Sequence, residues 1–307
     1  MMPKTWSVVT LTQNTRADFV RFVSWYRALG ATEIVIYFHD PEDPNLALVQ
    51  DAPDVRAMPL TDDLLAEMGL ERQDHGGLQE NIGSHAYPSL DTDWVARLDV
   101  DELLLPAPGK TVAGIIDEFA EDAVTCVISP AEVLPGRDPQ GRIRVRTEME
   151  PEVLAQVYGD VARYLTRRRG LIGHRMGKSL SRCGLDGFEV RTHSARYIDR
   201  RPLPGRPRIS RTHGIDLLHF NASSFDAWRR MLGARMFNAS FDPDLTAHLR
   251  ALATQGEAAL DELRHLYERI NVFDDDRFAQ LVGLGSGRAL DLAGVVQPDI
   301  MDLIAAE

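Results

Sequence analysis

The chain has 307 residues, 44% of them hydrophobic and 26% charged, which is the balance of an ordinary globular protein with a sizeable core. Its formal net charge of −12 argues against general nucleic-acid binding, and no apolar run approaches the roughly 20 residues that span a bilayer. Cys126 and Cys183 give neither a metal-ligand spacing nor a disulfide framework, and the first residues lack the apolar stretch of a secretory signal. We therefore expect a cytoplasmic protein.

Strand and helix signals alternate along the first half of the sequence. The pattern predicts, in chain order, a strand over residues 6–11, a helix ending at Gly30, strands over residues 34–38 and 55–60, a helix over residues 78–87 and a strand over residues 94–98. This alternation predicts an α/β fold with a mostly parallel sheet and helical crossovers.

Polar side chains follow three of these predicted strands. They are Thr12 to Asn14, His39 with Asp40, and Asp99 to Asp101. In an open parallel sheet, ligands bind at the carboxyl ends of the strands. The convergence of three polar clusters at such ends predicts a binding site there.

The second half of the sequence is less regular. It predicts a strand over residues 124–129, a hairpin arm over 142–147, a loop over 199–211, a short strand over 216–220, a helix from near Phe225 and strong helicity over 245–270. We divide the chain into a domain over residues 1–240, with halves 1–106 and 107–240, and a helical C-terminal extension over residues 241–307.

Four Asp-x-Asp spacings occur, so spacing alone does not identify a metal site. Three lie in polar stretches where Asp caps helices or forms turns: Asp91/Asp93, Asp242/Asp244 and Asp274/Asp276. The fourth, Asp99 and Asp101, follows an apolar strand and precedes three leucines. Alternate residues of an extended segment point to one side, which would present both carboxylates together. Such hard oxygen ligands suit Mg²⁺ or Mn²⁺; a structural turn is the alternative.

Basic residues are concentrated between residues 163 and 211 of this otherwise acidic chain. One interpretation is a solvated surface segment. The other is a cationic region that faces a phosphorylated donor or acceptor, or an anionic membrane surface.

The segment WVARLDVDELLLP at residues 94–106 resembles the strand and Asp-x-Asp motif of bacterial-type, family 2-like glycosyltransferases with a GT-A fold. Residues 7–40 are similar to the first β-α-β unit of that family. GHRMGKSLSR at residues 173–182 and LLHFNASSFDAWRR at residues 217–230 resemble its Gly-Lys-Ser and strand-His elements. The resemblance implies a Rossmann-like catalytic domain over residues 1–240, with its nucleotide-binding half over 1–106 and its acceptor half over 107–240.

The resemblance also implies roles for individual residues. Asp99 and Asp101 would coordinate Mn²⁺ or Mg²⁺ on the diphosphate of a nucleotide sugar, with UDP favoured, and Asp101 would be the more direct ligand. His219 would be a further metal ligand, or else a structural histidine. The implied donor-site residues are Thr10, Thr12 and Asn14 in the nucleotide pocket, Asp40 at the base or in a turn, Arg72 and Gln79 near the nucleotide, and Lys178 at a phosphate or merely on the surface.

A glycosyltransferase of this kind would move the sugar to a hydroxyl of a saccharide or glycolipid acceptor, and the resemblance favours inversion. Inversion requires a carboxylate base. The candidates are Glu132, which follows a predicted strand, and Asp186 and Glu189, which lie close to the Gly-Lys-Ser element. A glycolipid acceptor would place the protein at the inner face of the membrane. The C-terminal helical region leaves a homodimer open.

Two other functions remain open at this point. A nucleotidyltransferase that makes nucleotide sugars uses a similar sheet and metal pair, although it usually carries a Gly-rich loop after the first strand. Residues 12–15, TQNT, contain no glycine. A catalytically silent carbohydrate- or partner-binding protein of the same fold is the second alternative.

Overall fold

A computed structural model of the chain describes residues 3–136, 140–145, 150–204, 208–209, 214–237 and 241–291. The chain divides into two compact units. The first contains the described residues up to Ser129 and those between Gly177 and Leu217, and the second contains the segment Pro130–Met176 and the described residues from Leu218 onward.

Strands are distributed over both units. Those of the described residues are β1 (Trp6–Thr12), β2 (Glu33–Phe38), β3 (Val55–Pro59), β4 (Trp94–Arg97), β5 (Glu102–Pro106), β6 (Thr125–Ile128), β7 (Pro130–Leu134), β8 (Gln140–Val145), β9 (Lys178–Arg182), β10 (Phe188–Val190), β11 (Ala195–Tyr197), β12 (Arg208–Ile209), β13 (Ile215–His219) and β14 (Gly287–Asp291).

The α-helices lie between these strands and, in the second unit, beyond them. Those of the described residues are α1 (Arg16–Ala28), α2 (Asp62–Met68), α3 (His75–Ala86), α4 (Val112–Asp117), α5 (Pro151–Tyr158), α6 (Arg163–Thr166), α7 (Phe225–Phe237), α8 (Pro243–Ala253), α9 (Leu260–Asn271) and α10 (Asp275–Gly283).

The first unit is built on a twisted α/β sheet that has, among the described residues, the strand order β12-β6-β9-β4-β1-β2-β3. β1 pairs in parallel with β2 and with β4, and β2 pairs in parallel with β3. β9 lies between β4 and β6 and is antiparallel to both. The predicted fold class, a mostly parallel Rossmann-like sheet flanked by helices, is confirmed.

Local sequence explains why α1 follows β1 so closely. The Thr15 side chain caps the helix by accepting a hydrogen bond from the Asp18 amide. The apolar positions Phe19, Phe22 and Tyr26 recur at helical spacing and are buried. Gly30 then ends the helix with a φ of +79°, in the left-handed region that glycine adopts without strain.

Helix α3 covers one face of the sheet. Its buried residues Leu78 and Ile82 pack in a core cluster with Val9 and Val35 of the two central strands. A Cβ at Gly83 would lie 2.4 Å from the carbonyl oxygen of Val190, so only glycine allows α3 to approach β10 this closely. The helix is therefore fixed against both the sheet and the β10–β11 hairpin.

The second unit combines antiparallel strands with helices. β14, β8 and β7 lie side by side in antiparallel pairs. Helices α5 to α10 surround a large apolar cluster whose aromatic members include Trp228, Phe241 and Tyr267. Trp228 and Tyr267 have ring centroids 5.5 Å apart, which is within the range of favourable aromatic pairs.

The predicted domain limits differ from the observed ones. The nucleotide-binding half was expected to end at residue 106, but β9 and the residues up to Leu217 belong to the first unit because β9 completes the sheet between β4 and β6. The C-terminal region was expected to be separate, yet its described residues share the core of residues 130–176. Residues 292–307 of the predicted extension lie outside the described residues.

Two smaller predictions also differ. The loop over residues 199–211 contains β12, and the helical region contains β14. Part of the loop and residues 146–147 of the predicted hairpin arm lie outside the described residues. No described helix combines the length and the apolar character that crossing a membrane requires.

Candidate nucleotide and metal site

A cleft of about 420 Å³ opens at the carboxyl ends of β1 and β2. Its lining is polar at almost every position and consists of Gln13, Asn14, Arg16, His39, Asp40, Asp43, Pro44 and Asn45. The predicted residues Asn14 and Asp40 therefore lie on the cleft wall. The cleft occupies the place in a parallel sheet where ligands bind.

One wall of the cleft is braced by an arginine from beyond β3. Arg72 donates a hydrogen bond to the carbonyl oxygen of His39 at 2.6 Å and pairs with Asp62 at 2.9 Å. In turn, Nε2 of the His39 ring lies 3.0 Å from the Arg72 carbonyl oxygen. Arg72 therefore contributes to the cleft indirectly, because it fixes the position of His39.

A second histidine continues this wall. The imidazole of His75 stacks on His39 with centroids 4.7 Å apart, and its Nδ1 lies 3.2 Å from Nε2 of Gln13. Burial is the main reason that the pKa of His39 is lowered from its ordinary value. The lowered pKa favours the neutral ring near pH 7. Because Nε2 donates to the Arg72 carbonyl oxygen, Nδ1 of the neutral ring is a hydrogen-bond acceptor.

Thr10 and Thr12 do not line this cleft. Both side chains are fully buried within β1, and Thr12 Oγ1 lies 3.4 Å from the Asn14 amide that donates to it. Every residue of β1 is buried, so the cleft lining on this strand begins at Gln13. A contact of Thr10 and Thr12 with the nucleotide stays a prediction.

The predicted acidic pair lies in a turn between β4 and β5. The Glu102 amide donates to the carbonyl oxygen of Asp99 at 2.9 Å, which closes the turn, and the Glu102 carboxylate accepts from the Asp99 amide at 2.9 Å. The two aspartates are therefore not alternate residues of an extended segment. The expectation of parallel carboxylates on one side fails for this reason.

The carboxylate of Asp99 is held by two buried cations. Arg97 approaches it at 2.9 Å and Lys178 at 2.5 Å, and Lys178 also lies 3.1 Å from Glu102. Arg97, Lys178 and Glu102 have no exposed side-chain surface. Burial alone would raise the pKa of Asp99, but the charges of Lys178 and Arg97 outweigh it and hold that pKa well below its usual range.

Lys178 is thus placed at the acidic turn rather than on the surface. Gln79 is placed there too, because the Arg97 guanidinium donates to its side-chain oxygen. Thr192 donates to the Gln79 carbonyl oxygen at 2.7 Å. Arg97 contacts both Gln79 and Asp99, and this arrangement fixes the orientation of the Asp99 carboxylate.

Helix α1 fixes the strand that follows the turn. The Tyr26 hydroxyl donates to the Glu102 carbonyl oxygen at 2.8 Å and accepts from the Leu104 amide at 3.1 Å. The Trp25 indole donates to the Leu104 carbonyl oxygen at 2.8 Å. Two adjacent aromatic residues therefore anchor β5 directly after the acidic turn.

The side chains of the turn include the oxygen ligands that a hard divalent cation prefers. Both carboxylate oxygens of Asp99 are engaged by Arg97 and Lys178. Asp101 is half-buried in the same turn. The roles of both aspartates as ligands of Mg²⁺ or Mn²⁺ stay predictions.

Glu132 does not fit the role of a catalytic base. Its carboxylate is buried in the second unit and accepts hydrogen bonds from the Ile172 and Gly173 amides at 3.0 and 2.5 Å and from Arg144 at 2.5 Å. Burial opposes ionisation, but Arg144 and the two amides lower the pKa of Glu132 to about 2. A carboxylate so strongly held as an anion is a poor proton acceptor.

The other two predicted bases lie in the first unit. Asp186 is exposed in the turn between β9 and β10. Glu189 lies on β10 and pairs with Arg196 of β11 at 2.7 Å. Their roles as bases stay predictions.

His219 is buried at the end of β13, in the second unit. Its role as a metal ligand also stays a prediction.

The basic stretch is divided between the two units at residues 176 and 177. Several of its arginines are already paired: Arg191 with Glu80 at 2.7 Å, Arg196 with Glu189, and Arg182 with the Glu121 carbonyl oxygen at 2.8 Å. Arg206 and Arg211 lie outside the described residues. These three arginines of the stretch are therefore engaged within the protein.

No family model matches the chain, and no curated protein matches it. Similar solved structures include HddC from Yersinia pseudotuberculosis, with 9% identity over 45% of this chain and 67% of that chain and a TM-score of 0.27. The bifunctional IspDF from Campylobacter jejuni has 11% identity over 58% and 41% and a TM-score of 0.27. The 4-diphosphocytidyl-2C-methyl-D-erythritol synthase from Anaerococcus prevotii DSM 20548 has 9% identity over 47% and 60% and a TM-score of 0.22.

This chain spans less than two thirds of the second and third of these proteins. Alignments with such low scores do not indicate a shared activity or substrate. The functional argument therefore rests on the residues of the cleft and of the acidic turn.

Sequence reasoning missed Arg97 and Tyr26. Arg97 carried a signal, because a charged residue inside the apolar run WVARL needs a buried anionic partner, and Asp99 is two residues away. For Tyr26 the sequence contains no signal of its contact with β5 beyond its place on the apolar face of α1. Its contact with β5 joins residues that are 76 positions apart in the chain.

Proposed function

We propose that the protein is a metal-dependent glycosyltransferase that uses a nucleotide-diphosphate sugar. The observation that carries the proposal is the polar cleft at the carboxyl ends of β1 and β2, on the same sheet edge as the acidic turn after β4. Because β1 lies between β2 and β4, a ligand that fills the cleft extends along the edge toward Asp99 and Asp101. A nucleoside diphosphate matches this arrangement, because its nucleoside would fill the cleft and its diphosphate would lie toward the acidic turn.

Each part of the edge would have its own role. Asn14 and Asp40 supply amide and carboxylate groups that hydrogen-bond a base, and Arg16 supplies a positive charge for phosphate. Asp101 would hold Mn²⁺ or Mg²⁺, which as a Lewis acid stabilises the charge on a leaving diphosphate. Arg97 and Lys178 keep Asp99 ionised and oriented beside it.

The chain's contribution to the transfer is positioning. The turn is closed by Glu102 and its strand is anchored by Tyr26, so Asp101 keeps its place without reorganisation when the substrate binds. A sugar held at this edge would react with a saccharide or glycolipid hydroxyl brought to the same place. The hydroxyl proton would pass to a carboxylate base, for which Asp186 and Glu189 stay the candidates.

The proposal is tested by calorimetric titration of UDP and GDP, each with Mn²⁺ and with EDTA. We expect binding that requires Mn²⁺ and that weakens at least about tenfold in Asp101→Ala, because the variant loses a metal ligand. Asp91→Ala is the matched control. Asp91 belongs to another Asp-x-Asp spacing and is exposed in the loop before β4, so its variant should bind like the wild type.

Binding that is indifferent to EDTA, or an equal loss in both variants, would contradict the metal role of Asp101. No binding of either nucleotide by the wild type would favour a silent protein of this fold. A positive result leads to a donor screen in which released nucleoside diphosphate is measured with saccharide and lipid-linked acceptors. A lipid-linked product would also support contact with a membrane surface.

A nucleotidyltransferase is the second candidate, and one observation favours it. Arg16 follows the first strand and lines the cleft, where a nucleotidyltransferase binds the phosphates of its nucleotide. The absence of glycine from residues 12–15 argues against it. Incubation with a nucleoside triphosphate and a sugar phosphate distinguishes the two, because only nucleotidyl transfer releases pyrophosphate.

A further inference from the structure

Two histidines of the second unit lie face to face at the ends of separate segments. His174 follows the buried pair Ile172-Gly173, and His219 ends β13. Their ring centroids are 5.1 Å apart with planes inclined by 42°, and a ligand nitrogen of each lies within 4.8 Å of the other. Two imidazoles on one tetrahedral Zn²⁺ have nitrogens roughly 3.3 Å apart, which follows from Zn–N bonds of about 2.0–2.1 Å. The two nitrogens, which lie within 4.8 Å of each other, would have to approach by no more than about 1.5 Å to share one ion.

The surroundings of this pair are polar. A Cβ on Gly173 would lie 3.0 Å from Glu132 Oε1, 3.0 Å from Asn221 Nδ2 and 3.2 Å from His219 Cε1, so these three groups surround one glycine. Glu132 is buried as an anion, and Arg144 balances its charge. The two imidazoles therefore lie beside a carboxylate and an amide whose positions are fixed by hydrogen bonds.

Asn221 adds an independent observation. Its amide nitrogen donates to Glu132 at 2.9 Å, which fixes the orientation of the side chain. Its Oδ1 is buried and has no hydrogen-bond partner among the described residues, although the residue is only 1% exposed. A buried carbonyl oxygen of this kind is costly unless it accepts a bond from, or coordinates, something at the site.

The backbone that carries His174 is rigid. The Gly173 amide donates to Glu132 at 2.5 Å, and the Gly173 carbonyl oxygen accepts from Arg168 at 2.8 Å. Arg168 also donates to the Phe241 carbonyl oxygen at 2.7 Å. His174 thus follows a residue whose amide and carbonyl groups are both hydrogen-bonded, which limits the positions that its ring can take.

We propose that His174 and His219 are ligands of one divalent transition-metal ion of the zinc class, with Asn221 and Glu132 as the polar groups that hold the site. Zn²⁺, Co²⁺ and Ni²⁺ bind neutral imidazole well, whereas Mg²⁺ and Ca²⁺ prefer oxygen ligands. The remaining coordination positions are taken by water or by a substrate oxygen. The inference does not depend on a nucleotide and goes beyond the proposed function.

The test is a titration of the untagged full-length protein with Co²⁺ and with Zn²⁺, without nucleotide. Visible absorption reports Co²⁺ coordination and calorimetry reports the Zn²⁺ affinity. We expect one equivalent of tight binding, no competition from millimolar Mg²⁺, and a loss of at least about tenfold in affinity in His174→Gln and in His219→Gln. His265→Gln is the matched control, because His265 is exposed on α9 of the same unit.

Three results would overturn the proposal. One is wild-type protein that binds neither ion, and another is binding that both variants retain. The third is binding that disappears in His75→Gln, which would assign the metal to the stacked His39/His75 pair of the first unit. Far-UV circular dichroism and the Tm of each variant establish that it is folded, and His174→Gln is informative even if the more deeply buried His219→Gln is not. Asp101→Ala tests the donor site separately, because that experiment requires a nucleotide.

Discussion

The carboxylate side chains of this protein differ in chemistry because the groups that surround them differ. Asp99 is paired with two cations, Asp101 is the half-buried acid of the same turn, and Glu132 is enclosed by amides and Arg144. The sequence predicted the location of the acidic turn, because only that acidic pair follows an apolar strand. It did not predict that Glu132 is structural, since its amide donors come from residues 40 and 41 positions away.

Replacement of Glu132 by Gln tests that structural role. The variant leaves Arg144 buried without its anionic partner, so we expect a loss of about 3–5 kcal/mol in the free energy of unfolding at pH 7. Denaturant unfolding measures it. Glu189→Gln removes a partly exposed ion pair with Arg196 and should cost less than about 1 kcal/mol.

The difference in the free energy of unfolding between wild type and Glu132→Gln should decrease as the pH falls. The folded-state pKa of Glu132 is about 2, below the ordinary value of 4.5. A lowered pKa contributes stability that is present above pH 4.5 and is lost as the pH falls toward 2. The gap between wild type and Glu132→Gln should therefore shrink over that interval. A gap that is unchanged from pH 7 to pH 3 would show that the lost stability is not electrostatic.

At the scale of elements, the sequence predicted the central strands and α1 well because each has a strong local signal. β1, β2 and β4 are mostly apolar, and Thr15 and Gly30 mark the ends of the helix. The antiparallel insertion of β9 between β4 and β6 was not predictable in this way. It is set by pairings such as Ala96 with Leu180, which no local pattern encodes.

The contact between α1 and β5 makes a prediction about binding. Tyr26→Phe removes one hydroxyl that both donates to and accepts from the backbone of β5, so we expect a loss of about 1–3 kcal/mol in stability. We also expect weaker Mn²⁺-dependent nucleotide binding, because the acidic turn directly precedes β5. Thermal unfolding and calorimetry measure the two effects.

The chain offers a closely matched control for this variant. The Tyr87 hydroxyl donates to the Arg182 carbonyl oxygen at 2.8 Å and accepts from the Leu185 amide at 3.0 Å, away from β5. Tyr87→Phe should lower stability by a similar amount and leave nucleotide binding intact. Equal effects of both variants on binding would mean that general destabilisation, rather than the anchoring of β5, is responsible.

At the scale of the whole molecule, the first unit is discontinuous in sequence, and its two parts meet closely. Ile128 of β6 pairs with Lys178 of β9, so the chain leaves and re-enters this unit at adjacent positions. Gly177 makes the re-entry possible, because its φ is +77° and a Cβ there would lie 2.2 Å from the Ile128 carbonyl oxygen. The segment Pro130–Met176 belongs entirely to the second unit.

This geometry predicts that the first unit folds without the inserted segment. In a spliced chain, residues 3–129 and 177–217 are joined by an Asn-Gly turn, which suits a tight antiparallel hairpin. We expect one cooperative thermal transition by circular dichroism. A chain that ends at residue 129 lacks β9 and should show none. A spliced chain without a cooperative transition would contradict the independence of the unit.

The position of β9 also has a consequence during synthesis. Lys178, which balances the buried charge beside Asp99, is 79 positions further along the chain. At a translation rate of about 5–20 residues per second, the ribosome makes it roughly 4–16 s after the acidic turn. During that interval the nascent chain has an open strand edge at β4, and the carboxylates of Asp99 and Glu102 lack the lysine that pairs with them. The protein is therefore most exposed to chaperones and to aggregation while residues 130–176 are being translated.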